Sequence, residues 1–220
     1  TASDGAGIFA AAVAGGDVTV SAGDVSSANS TGVQASAAGS GDIDVTTGRV
    51  SGATGIDVVN TGNGATVVRA NGTVTGATGY GIFIETDNSV ELEVADTVTG
   101  VTDGAFIRAG IGGVGDISVT GAGSFVGLNG DGLDVRNEGA GRVDIDISGP
   151  SSATNGNGVI VRDTAIGGDI SVTTGAVSAN TPGNDGINVN SNSTTANISV
   201  VANGDIEAGE LEEDDAHDCQ

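Results

Sequence analysis

Lysine, methionine and tryptophan are absent from this chain of 220 residues, and histidine, cysteine and tyrosine each occur once. The one histidine, His217, stands near the C-terminus, so no histidine-based catalytic triad can be built in the body of the chain. Cys219 has no second cysteine to pair with, which excludes an internal disulfide and suits a chain exported unfolded. Two prolines against 40 glycines exclude both collagen and a proline-rich linker. No run of 18 apolar residues occurs, so nothing reads as a membrane-spanning helix. Basic charge is scarce as well: six arginines face 29 acids, for a formal net charge of −23. That balance argues against nucleic acid, whose phosphates demand cationic partners, and against anionic membrane surfaces. It is compatible with cations or a salty exterior. The chain opens on Thr1 and carries no initiator methionine, the pattern of a processed product or a fragment.

What is present is a repeat. A glycine followed by an apolar residue recurs as Gly7-Ile8, Gly32-Val33, Gly55-Ile56, Gly81-Ile82, Gly104-Ala105, Gly132-Leu133, Gly158-Val159 and Gly186-Ile187. The spacings are 25, 23, 26, 23, 28, 26 and 28 residues, the length of one coil of a β-solenoid. Within each unit, apolar residues alternate with polar ones in bursts. The first burst contains Ile56/Val58, Ile82/Ile84, Leu133/Val135, Val159/Val161 and Ile187/Val189. The second contains Val18/Val20, Ile43/Val45, Leu92/Val94, Ile117/Val119, Val143/Ile145 and Ile170/Val172. A third, shorter burst shows one apolar residue: Val25, Val50, Val74, Val98, Val177 and Ile206. Period-two alternation places these side chains on one strand face, with Asp, Ser, Thr and Asn on the other. Three short strands per coil over about eight coils of 23–28 residues give an all-β parallel β-helix spanning residues 1–208. Right-handed winding is the default for parallel crossovers. Residues 209–220 form an acidic C-terminal tail without alternation, a solvated segment able to discourage end-to-end stacking.

Two places break the pattern. Gly149-Pro150-Ser151-Ser152 replaces the third burst of the sixth unit, and the expectation is a loop that interrupts the wall there. Arg69 falls near an inward position, and the expectation is a register slip of Ala65-Thr66-Val67-Val68 that keeps it out of the core.

Candidate chemistry is sparse. Polysaccharide-active β-helices need clustered carboxylates beside a base and, for sugar stacking, aromatics; acids are everywhere here, but aromatics are only 2% of the chain. Gly130-Asp131-Gly132-Leu133-Asp134 resembles half of a calcium-binding nonapeptide and makes Asp131 and Asp134 candidate calcium ligands. Arg136 at the next apolar position and the lack of a tandem copy favour an ordinary turn. No other cofactor is indicated. Arg108, Arg136 and Arg162 follow the first burst in successive units, in one column with steps of about 4.8 Å. The column reads either as an anion-binding ladder or, favoured by the adjacent Glu85 and Asp163, as a ladder neutralised by neighbouring acids. The threonine pairs Thr73/Thr75 and Thr97/Thr99 would suit a flat ice-binding array, but they span only two units.

Gly41-Asp42-Ile43-Asp44-Val45-Thr46-Thr47-Gly48-Arg49-Val50-Ser51-Gly52-Ala53-Thr54 and its near copy Gly168-Asp169-Ile170-Ser171-Val172-Thr173-Thr174-Gly175-Ala176-Val177-Ser178 resemble the passenger repeats of bacterial type V autotransporters and related large surface adhesins. The resemblance covers about residues 3–208. It implies a β-helical stalk on the bacterial cell surface or outside the cell, non-catalytic, and partnered with a host-cell or matrix surface or with itself. The membrane barrel used by that family has no counterpart in these residues. The expected contact sites are the irregular stretches Gly149–Gly158 and Gly110–Gly115. The alternative is an extracellular fibre protein that stacks end to end.

Overall fold

The computed structural model describes residues 4–110, 113, 115–164 and 168–209. Among these residues there is no helix. The chain winds as a parallel β-solenoid of eight coils, three strands to a coil, in which each strand pairs with its counterpart one coil away. Three eight-stranded parallel sheets result. The first runs from Ile8–Ala12 to Ile187–Ser191, the second from Val18–Ala22 to Ile198–Ala202, and the third from Val25–Ser26 to Ile206–Gly209. At about 4.8 Å per coil the stack is on the order of 35 Å long.

Alternation decides which way each side chain points. Ile82, Ile84, Leu92, Ile107, Leu133, Val135, Ile145, Val161 and Val172 are fully buried and form one continuous core with their neighbours above and below. Each contributes about 1.5–3 kcal/mol by leaving water. No single coil could enclose that core, since each of these residues lies between a coil before and a coil after.

The glycine that opens each coil marks a close approach. A Cβ on Gly32 would lie 2.5 Å from Val50 Cγ1 and 2.7 Å from the carbonyl oxygen of Gly55, its own counterpart in the next coil. Only a residue without a side chain lets the corner close over the inward valine of the third sheet.

The Gly-Asp pair ahead of the second burst has a different cause. Asp17 Oδ1 accepts the Asp42 backbone N–H at 3.0 Å, and Asp42 Oδ1 accepts the Ala65 N–H at 2.8 Å. Further along, Asp116 Oδ1 accepts the Arg142 N–H at 2.7 Å, and Asp169 Oδ1 accepts that of Asn197 at 2.8 Å. Each carboxylate therefore satisfies a backbone donor of the following coil, at a corner where the ladder leaves it unpaired.

Three details differ from the sequence expectation. Ser151–Ala153 is a strand, paired with Phe125–Gly127 on one side and Val177–Pro182 on the other, so the wall is continuous. Pro150 precedes the strand, where it needs no N–H, and its carbonyl accepts the Phe125 N–H at 3.1 Å. Inside the wall the small Ser151 stacks on the fully buried Phe125, a small residue accommodating a large neighbour. Thr66–Ala70 keeps register with both neighbours without any slip: Thr66, Val68 and Ala70 point inward, and alternation alone puts Arg69 outside. In the fourth coil the second strand starts at Val90, two residues before Leu92.

Candidate functional site

The outer face of the first sheet gathers three of the chain's six arginines and three of its four phenylalanines. Parallel register stacks Gln34, Asp57, Phe83, Phe106, Asp134 and Ile160 in one column. A second column, two residues along, carries Glu85, Arg108, Arg136 and Arg162. Phe83 and Phe106 stack with ring centroids 5.4 Å apart and planes 5° from parallel. Tyr80, from the corner before Ile82–Thr86, leans on both rings at 5.2 and 5.7 Å. Three of the chain's five aromatic residues thus form one cluster.

One end of this cluster is filled by the chain itself. The guanidinium carbon of Arg136 sits 4.7 Å from the Phe106 ring centre, and Arg136 Nη2 donates to Asp134 Oδ2 at 2.8 Å. Arg162 Nη1 donates to the other oxygen of Asp134 at 2.7 Å. Asp134, 1% exposed although on an outward position, is therefore a buried carboxylate held between two arginines. Arg108 pairs with Glu138 at 2.8 Å and with Glu85 at 3.5 Å. Arg108, Arg136 and Arg162 do stand in one column, and each has an acid of the chain on its guanidinium.

The other end is open. Thr54, Asp57, Tyr80 and Phe83 line a groove of about 240 Å³. Burial raises the Asp57 carboxyl above the ordinary aspartate range. Its hydrogen-bond partner is the Gln34 amide, donating from Nε2 to Oδ2 at 3.4 Å. Behind the rings, burial pushes the Asp103 carboxyl up to about 6, with Asp131 and Asp134 adding to the rise and the Asp131 backbone N–H and Arg136 opposing it. Tyr80 is raised too, first by burial and then by the charge of Asp103.

The calcium candidates point at different partners. Asp131 Oδ1 accepts the Asn157 backbone N–H at 2.6 Å and its side-chain amide at 3.0 Å, while Asp134 serves the two arginines. Among the described residues no group of three or more His, Cys, Asp or Glu side chains gathers as a metal site. Thr75 and Thr99 are neighbours on the outer face of the third sheet, where Val126 ends their run. Of the expected contact stretches, Gly149–Gly158 holds a strand of the wall, while Ile111, Gly112 and Val114 lie outside the described residues. The acidic run 210–220, with His217 and Cys219, lies outside them as well.

Composition alone does not reveal the aromatic cluster, because it forms only when successive coils stack in register. The signal was there: Phe83 and Phe106 each stand two residues after the glycine that opens a coil, in Gly81-Ile82-Phe83 and Gly104-Ala105-Phe106.

Comparison with protein-family models, with curated proteins and with solved structures returns no match. The fold itself defines the class, a three-sheet parallel β-solenoid with one aromatic and acidic patch on an outer face.

Proposed function

We propose that this chain is a non-catalytic segment of a cell-surface rod, an adhesive passenger of the autotransporter kind. The observation that carries the reading is continuity: all three sheets pair through eight coils, including the coil where proline interrupts the apolar pattern, with a register shift between Ser178 and Pro182 where the third sheet meets its last strand. Unbroken pairing gives a stiff element that holds its outer faces at a fixed distance from its base. Its surface charge keeps neighbouring rods apart. The partners of such a rod are a host-cell or matrix surface, met through the outer face of the first sheet.

The intact mass and cell fraction of the native polypeptide test this. A much larger protein in the outer membrane is the expected result. A free product near 21.0 kDa, soluble or fibrous, would end the reading. One observation favours the fibre alternative: Asp185 and Gly186 with Ile187, Val189, Ile198, Val200, Ile206 and Ala208 line an opening of about 530 Å³ at the last described coil. Length that grows with protein concentration would support that alternative over the rod.

A further inference from the structure

We propose that the groove between Tyr80, Phe83, Asp57 and Thr54 receives an arginine side chain from a partner protein. The inference rests on the reading of the chain as a display rod and adds the chemistry of its contact. Its basis is a near symmetry in the outer column of the first sheet. Asp57, Phe83, Phe106 and Asp134 follow one another coil by coil, so the stacked ring pair has a carboxylate at each end. At the Asp134 end, a guanidinium lies 4.7 Å from the ring centre and is hydrogen-bonded to the carboxylate. This internal contact is a template: a planar cation attracted to a ring face and paired with an acid.

At the Asp57 end the same two elements recur without a cation. Among the described residues no arginine pairs with Asp57, on which burial is the one influence, and the Gln34 amide meets it at 3.4 Å. In place of an Arg136 there is an open groove of about 240 Å³, with Tyr80 as a second wall. Glu85, two residues beyond Phe83 on the Ile82–Thr86 strand, is committed to Arg108. On the neighbouring strand the residue pairing with Glu85 is Val59, so the position matching Arg136 there holds no cation. A partly desolvated carboxylate beside two aromatic faces favours an organic cation over a neutral group or a hydrated metal ion. Arginine fits better than lysine because its flat fork can stack on the ring and bond the carboxylate together. The net charge of −23 attracts cationic partners from a distance.

The molecule carries its own reporter. Tyr80 is its one tyrosine and tryptophan is absent, so intrinsic fluorescence reads this groove alone. The 220-residue chain is titrated with a blocked Gly-Arg-Gly peptide, with the same peptide carrying Gln for Arg, with methylguanidinium and with glucose. A saturable change with the arginine peptide, and none with the glutamine peptide or glucose, is expected. Asp57→Asn and Phe83→Leu should each weaken that binding by about tenfold or more, with the β-sheet circular dichroism retained. Should one variant fail to fold, the other decides. Equal response to the glutamine peptide, response to glucose alone, no saturable response, or full affinity in the folded variants overturns the proposal. Tighter binding of methylguanidinium than of the peptide overturns the assignment to a partner's side chain. Solution scattering of the same sample tests the rod separately, so either reading can fail without the other.

Discussion

Asp103 and Asn157 occupy equivalent corners of different coils, and each accepts a backbone N–H from the coil that follows, at 2.7 and 2.8 Å. The amide does so without charge, whereas the 7%-exposed carboxylate does so at the cost of desolvation, facing Asp131, Asp134, Arg136 and Tyr80. Its folded pKa of about 6 exceeds its ordinary 3.8. The stability it contributes is therefore complete below about pH 4 and is lost as pH rises through about 6. Asp103→Asn should keep the corner bond, raise stability at pH 7 by about 2 kcal/mol and flatten its dependence between pH 4 and 6, as read by urea unfolding at several pH values. Asp169 has the opposite sign: the Asn197 donors lower its pKa, so its contribution is present at neutral pH and is lost as pH falls. Thr47 makes a second residue-scale case. It points inward, 1% exposed, and its hydroxyl has no hydrogen-bond partner. Thr47→Val should stabilise the chain by about 1 kcal/mol in the same unfolding assay, because the shape is kept and a buried polar group is removed.

At the scale of the element, each coil is a corner glycine, three short strands and the turns between them. The inward residues tolerate exchange among Val, Ile, Leu, Ala and Thr because the stacked neighbour can compensate, as Ser151 does for Phe125. The corner glycine has no such freedom. Gly32→Ala should destabilise by about 1–3 kcal/mol, since the new Cβ would lie 2.5 Å from Val50 Cγ1 and 2.7 Å from the Gly55 carbonyl oxygen. The change would be read as a lower thermal midpoint. Gly23→Ala, where nothing stands within 4 Å of the new Cβ, is the control and should fall within about 0.5 kcal/mol of the parent. The strand Thr66–Ala70 carries a related lesson. Arg69 needs no slip, because the face of a residue depends on its parity along the strand, and the outward place leaves it among Asp44, Glu91 and Glu93 at 3.4–3.7 Å.

Across the whole molecule, stability is a sum of neighbour contacts, and the ends have fewer neighbours. Ile198, Val200 and Ile206 of the last coil are 45–49% exposed, while Ile145, Val161 and Val172 further back are fully buried. In the isolated 220-residue chain, hydrogen exchange should accordingly be fastest in Ile187–Ser191, Ile198–Ala202 and Ile206–Gly209 and slowest in the central coils; uniform protection would mean that the array opens as one unit. The sequence by itself determined the coil count, the eight opening glycines and the inward valines and isoleucines, because period two and a repeat near 25 residues are properties of the chain alone. Its silent places were those where the small inward residue is polar, as at Ser151 and Thr66, since hydropathy is a poor guide to a position that stacking fills. Tertiary structure alone decided what the outer faces present. Residues 20 to 30 positions apart become neighbours only through the exact length of each coil, and that register brought Tyr80, Phe83 and Phe106 together, placed Arg136 on one end of the stack and left Asp57 at the other.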